Sequence, residues 1–501
     1  MRALMTKAYG RAGLTLLTTV AVTCAMATPA QAASTGVGSV SGTKVQYKAA
    51  TGKQNKVVVT RSGRTITIDD QVAVKAGKGC KAVKGDKTKV RCTTRTAPTR
   101  VSVYLGSRND SVTNRTDLPM TANGGTGSDR LTGGVRGDRL RGESGNDRVW
   151  GGGGNDSLYG DAGADYLYGN AGRDYVSGGE SADRLYGGND DDNLQGGDGN
   201  DRLYGEAGHD HLFGQHGNDK VYGGAGDDRI EEGIDPMRGS SDSDLLSGGG
   251  GQDFVNYDGR TRSISADIDG VTGDDGAKGE GDTIATDVEG LTGGSGNDRL
   301  AGTAGPDNLV GNQGNDTLLG GSGNDSLGGG MGADRLEGGA GDDYLAGDYD
   351  SAGAVADVLL GGAGRDVVDY FGYTKPLTVD LDGAAGDDGQ AGERDTVGAD
   401  VEDITGGYGA DRLTGNAAAN TITGYGGNDI IRGGAGNDRL DGDTGRDTVY
   451  GEAGDDLLST GWYGDGLDTL DGGANLTATG DNCQTRDPED VAVSCEYNQP
   501  W

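Results

Sequence analysis

The sequence predicts an all-β chain wound as a parallel β-solenoid, with a small β domain ahead of it and two β modules inserted into it. Three observations predict this: an unbroken nine-residue period, 102 glycines among 501 residues, and a hydrophobic content of only 33%. Ordinary globular cores cannot be built from so little apolar volume. The architecture has to be repetitive, each unit burying little and stacking on the next.

The period runs without a slip from Gly124 to Glu231. The sixth position of every unit is aspartate: Asp129, Asp138, Asp147, Asp156, Asp165, Asp174, Asp183, Asp192, Asp201, Asp210, Asp219 and Asp228. Two places after each stands an apolar residue, as in Leu131, Leu140, Val149, Leu158 and so on to Val221 and Ile230. The unit reads GGxGxDxUx. Its glycine-rich half permits positive φ and close backbone approach and predicts a tight turn. Its xUx half predicts a short strand with one side chain inward and its neighbours outward. One buried Leu or Val is a small return for ordering nine residues, and stacked carboxylates oppose the stacking, so a cation must close the gap. Calcium suits such a site. It is a hard ion that takes six to eight oxygens from carboxylates and backbone carbonyls in a flexible geometry. Magnesium demands stricter octahedral placement, and no sulfur or imidazole recurs with the period to favour a softer metal.

GGxGxDxUx resembles the calcium-binding nonapeptide of the repeats-in-toxin (RTX) family of secreted bacterial proteins. The resemblance implies a parallel β-roll in which two nonapeptides complete one right-handed turn and calcium ions, several per chain, sit between turns of adjacent coils. Aspartates eighteen residues apart would then share an ion, Asp129 with Asp147 and Asp138 with Asp156, together with carbonyls of their turns. A second array carries Asp298, Asp307, Asp316, Asp325, Asp334 and Asp343, and a third Asp411, Asp429, Asp438, Asp447 and Asp456. Asp253 and Asp366 are the candidate ligands at the ends of the first two arrays. Departures at Arg136-Gly137, Glu180-Ser181 and Asn420 put their own sites in doubt, and residues 349–357 break the register, so they loop out or end a roll.

Residues 255–300 align without gaps to 368–413, sharing a YxGxT pattern at Tyr257 and Tyr370, DxDG at Asp267 and Asp380, and GDDG at Gly273 and Gly386. Each copy reads as a β excursion capping or extending a roll. Asp267, Asp269, Asp282 and their counterparts could bind further calcium or line a solvated turn, and their spacing fails the EF-hand pattern.

Charge is segregated. Net charge is −35 overall, with 17 Lys and Arg against 5 Asp and Glu in residues 33–122 and 24 against 74 in residues 123–501. The basic head could dock on the acidic roll, bind an anionic envelope polymer or glycan, or simply be solvated. Nucleic acid is not an expected partner, because aromatic residues are sparse and the body repels phosphate. Arg2, Lys7 and Arg11, the apolar run 14–26 and Ala30-Gln31-Ala32 predict a cleaved secretory signal peptide, and no later segment is apolar enough to span a bilayer. Without the leader four cysteines remain: Cys80, Cys92, Cys483 and Cys495. Three pairings exist on paper, local pairing is the simplest, and the absence of CxxC speaks against metal ligation. The expected layout is a signal peptide (1–32), a small basic β domain with a disulfide (33–122), a roll array (123–253), a β module (254–292), a second array (293–366), a second module copy (367–405), a third array (406–474) and a disulfide-closed C-terminal cap (475–501).

Stacking alternate repeats aligns Trp150, Tyr168, Tyr186, Tyr204 and Tyr222 beside Arg148, Tyr166, Arg184, Arg202 and Lys220. That face reads either as a stacking ladder or as a docking surface for glycan, the head or another chain. Only three histidines exist, His209, His211 and His216, and neither HExxH, GxSxG nor GxxxxGK[ST] occurs. The expected function is a non-enzymatic, secreted, extracellular calcium binder with a structural or adhesive role. The alternatives are an accessory RTX module serving an enzyme or toxin, or a secreted hydrolase.

Overall fold

The computed structural model describes residues 35–233, 242–348, 355–461, 466–475, 480–485 and 489–498. The expected signal peptide lies outside them. Among the described residues there are 52 strands and no helix, and therefore no helix able to cross a membrane.

Each nonapeptide of the first array contributes one strand, and in most of them that strand is longer than the xUx triplet expected from the sequence, while Arg130–Thr132 and Arg229–Glu231 keep to the triplet. Arg148–Gly153, Tyr166–Ala171 and Arg184–Asn189 each run through xUx and on into the first three residues of the next unit. The glycines are thus part of the ladder as well as of the turn. Pairing skips the first glycine, with Trp150 opposite Tyr168 and Gly152 opposite Asn170. A Cβ at Gly151 would lie 2.1 Å from Asp156 Oδ2, so this position is held to glycine by space. The second position takes positive φ, 109° at Gly152 and 120° at Gly179.

Strands alternate between two sheets and pair in parallel with the strand one coil, eighteen residues, ahead. In one sheet Val149, Leu167, Leu185, Leu203 and Val221 line up, and in the other Leu140, Leu158, Val176, Leu194 and Leu212. All ten are fully buried, so the core is one side chain deep on each wall. Two nonapeptides per coil is the arrangement that the resemblance implied.

The head is fused to this roll. Lys44–Lys48 pairs in parallel with Arg100–Ser107, which pairs with Met120–Thr126, which pairs with Arg139–Ser144. Lys56–Ser62, Ser111–Arg115 and Arg130–Thr132 do the same on the opposite wall. Antiparallel hairpins are added outside, and the Cys80–Cys92 disulfide bridges two directly opposed strand positions.

The first sheet continues from the head through both modules to the tail, because Phe254–Asn256 pairs with Gly290–Thr292 and Val367–Asp369 with Asp403–Thr405. The second wall is renewed at each module. Thr283–Ile284 ends one sheet while Ile264–Asp267 opens the next, and Thr396–Val397 and Leu377–Asp380 repeat the exchange. Each module therefore both caps and extends. The roll does not end at the register break that begins at residue 349, of which residues 349–354 lie outside the described residues: Arg335 pairs with Val358 and Tyr344 with Val367. In the tail Cys483 is bonded to Cys495, the same local pairing as in the head.

Candidate metal centres

The aspartates of the repeat form two files along the roll, one at each turn line. The backbone N–H of each donates to Oδ1 of the aspartate one coil ahead, Asp129 to Asp147 at 2.6 Å, Asp138 to Asp156 at 2.6 Å and Asp174 to Asp192 at 2.7 Å. The eighteen-residue pairs inferred from the resemblance are therefore brought together. A second, exposed file uses the residue before the aspartate, as where Ala164 N–H donates to Asn146 Oδ1, which gives the frequent Asn there a role.

The other carboxylate oxygen separates the sites into two classes. In Asp129, Asp147, Asp156, Asp165, Asp174, Asp183, Asp192, Asp201, Asp210, Asp219 and Asp228, Oδ2 is buried and accepts no hydrogen bond. The same holds for Asp253, Asp316, Asp325, Asp334, Asp343, Asp366, Asp429, Asp438, Asp447 and Asp456. In Asp138, Asp298, Asp307 and Asp411, Oδ2 instead accepts a backbone N–H from four residues earlier, Gly134, Gly294, Thr303 and Gly407. Those four donors do not take the positive φ found at Gly152 and Gly179, so the amide turns inward and occupies the oxygen. Asn420 is closed likewise by Asn416. The doubt over Asp138 and Asn420 thus has a geometric counterpart. The doubt over the Glu180-Ser181 unit does not: Ser181 takes φ 79°, and Asp183 keeps its ladder bond and its open oxygen.

An unpartnered buried carboxylate oxygen is costly unless it is protonated or meets a cation. Burial accordingly raises these carboxyls far above the ordinary aspartate value, to about 7 at Asp147 and to about 8 at Asp156, Asp183, Asp192 and Asp429, with like-charged neighbours in the file adding to the effect at most of them. Oδ2 faces the pocket over the first glycine of its own unit together with a carbonyl from the next coil. A Cβ built on Gly187 would meet Asp192 Oδ2 at 2.4 Å and the Gly205 carbonyl at 2.8 Å. The donors gathered there are all hard oxygens, one anionic and others peptide carbonyls, which fits calcium and gives soft metals nothing to bind.

The files also recruit residues that lie off the nine-residue period. Asp110 starts one by donating to Asp129 Oδ1. Asp244 and Asp357 follow insertions, receiving bonds from Asp219 and Asp334, and each passes the ladder to a module residue, Asp282 or Asp395. Asp468 and Asp481 continue the files in the tail. Glutamate takes over at three places: at the modules Asp253 donates to Glu289 and Asp366 to Glu402, and in the tail Asp481 donates to Glu496. The place of these residues in the files is hidden in the sequence because insertions that are not multiples of nine shift them out of phase.

In the modules Asp282 belongs to the ladder, not to the acidic group expected around Asp267 and Asp269. Asp274 completes that group, and Asp380, Asp382 and Asp387 repeat it. The duplication extends to hydrogen bonds, with Asp267 N–H on Asp275 and Asp380 N–H on Asp388, both at 2.7 Å. The histidines do not converge: His209, His211 and His216 pair separately with Asp227, Glu231 and Asp198. The rings from Trp150 to Tyr222 do stack, with centroids 5.6, 4.7, 4.9 and 5.2 Å apart and planes within 8° of parallel.

The family model for the RTX calcium-binding nonapeptide repeat (4 copies) matches at residues 123–158, 132–167, 159–194, 195–230, 231–259, 292–327, 328–350, 351–370, 405–440 and 433–462. A search of curated proteins gave no match. The matched segments span more than half of the chain and coincide with the coils that carry the aspartate files. A β-roll with those files, and a repeat model over most of its coils, place this chain in the family of RTX calcium-binding nonapeptide repeat proteins.

Proposed function

We propose that the protein is an exported, non-enzymatic scaffold that folds when several calcium ions enter the two aspartate files, and that it acts outside the cell in a structural or adhesive role. The observation that carries this reading is the row of buried Oδ2 atoms without partners. A chain carrying −35 charges with carboxylates one coil apart opposes its own stacking until divalent ions bridge the coils. At submicromolar cytosolic calcium the roll would stay open, which favours export, and at millimolar calcium outside it would close. Secretion is supported by the N-terminal leader pattern and by the two disulfides, which persist in oxidising compartments.

Circular dichroism during a calcium titration tests the fold switch. A rise of the β signal across the micromolar to millimolar range is expected, and a flat trace overturns it. The non-enzymatic part is tested by assaying the calcium-loaded protein on peptidoglycan, lipid and peptide substrates, where turnover of any of them overturns it.

A further inference from the structure

We propose that the outward face of one sheet of the first array is a binding surface for a linear acidic polysaccharide lying along the roll axis. The inference deepens the adhesive reading above and rests on it. Arg130, Arg148, Arg184, Arg202 and Lys220 occupy one row of this sheet, with Tyr166 filling the sixth place. Strands stand about 4.8 Å apart, so the row presents five cations over roughly 24 Å. None of the five makes an ion pair among the described residues, and Glu206 is the single acidic residue in their strands. In a chain of net charge −35 this is a local reversal of sign.

Two features define the ligand. The Tyr166 ring carries the guanidiniums of Arg148 and Arg184 at 5.4 and 4.9 Å, which holds their charge across the gap in the row. The adjacent ring column stacks on itself at 4.7 to 5.6 Å, so the ring faces that would pack on a neutral sugar are covered, except at its two ends. What remains is a rim of phenol hydroxyls beside a row of cations, which suits anionic groups spaced one per sugar. The face is not a requirement of the roll. The corresponding row of the second array is Arg299, Thr317, Arg335 and Val358, and those coils form the same ladder without an aromatic column.

Retention of the full-length protein on immobilised chondroitin sulfate in millimolar calcium tests the proposal, with neutral dextran as the control matrix. The variant Arg148→Ser, Arg184→Ser, Arg202→Ser, Lys220→Ser should keep the calcium-induced circular dichroism signal and bind at least about tenfold more weakly, because two exposed and two half-buried charge contacts are lost together. A charge-matched variant away from this face, Lys44→Ser, Lys48→Ser, Lys53→Ser, Lys78→Ser, should bind like the parent. Equal loss in both variants, equal retention on dextran, or undiminished binding by the first variant overturns the proposal. So does a first variant whose only change is from dimer to monomer in sedimentation, which would make a second copy the occupant. A flat calcium titration would instead remove the reading on which the proposal rests.

Discussion

A single amide orientation decides whether an aspartate of the repeat is free to take a cation. Asp183 and Asp411 occupy the same place in the unit, yet Oδ2 is open in the first and bonded to Gly407 N–H in the second. Asp183→Asn should lower the number of calcium ions bound per chain, measured by calorimetry, whereas Asp411→Asn should leave it unchanged and cost only about 1 kcal/mol of stability for the altered hydrogen bond. Equal loss of ions in the two variants would remove the distinction. Gly187→Ala probes the same pocket from the other side. Its backbone is unstrained, but the added methyl would intrude on Asp192 Oδ2 and the Gly205 carbonyl, so calcium affinity should fall by about tenfold without loss of the apo chain's properties. An unchanged affinity would show that this pocket does not hold the ion.

At the scale of the files, burial makes ordering proton-linked. The folded, calcium-free values lie above the ordinary 3.8, at about 6 in Asp174, about 7 in Asp147 and about 8 in Asp192. A raised folded value means that protons are taken up as the file forms. The contribution is complete below 3.8 and is lost as pH rises through about 6 to 8. Without calcium the β signal should therefore be stronger near pH 4 than near pH 8.5, and with saturating calcium this order should reverse, since the ion binds the deprotonated form. A calcium-free signal independent of pH would contradict the burial. The period and the one-residue core were legible in the sequence because each depends on local spacing alone, whereas the eighteen-residue pairing came from the resemblance to RTX repeats. Asp244 and Asp357 were not legible, and Asp282 and Asp395 were candidates only in the acidic groups of the modules and not in the ladder, because insertions between coils move ladder partners to separations of 23, 25 and 38 residues. The open and closed classes were not legible either, since Gly134 and Gly152 are the same residue in different conformations.

Across the whole molecule, one sheet is shared by head, arrays and tail, while the aspartate files begin only at Asp110. The head has other means of support. Val45, Tyr47, Val57, Val59, Ile66, Ile68 and Val90 form a thicker core than any roll coil, antiparallel hairpins close its outer edge, and Cys80–Cys92 restrains it. A disulfide closing a loop of this size contributes about 3 kcal/mol by restricting the unfolded chain. In a solenoid each coil is stabilised mainly by its neighbours, so loss of calcium from the files should dissolve the arrays together and stop at the head. Limited proteolysis in chelator should then degrade residues beyond about 126 and spare a fragment containing both Cys80 and Cys92, identified by mass spectrometry, whereas calcium should protect the arrays as well. A chain that resisted protease throughout in chelator would mean that hydrogen bonds and the apolar file hold the roll closed without any ion. Simultaneous loss of the head would mean that its core depends on the coil beneath it.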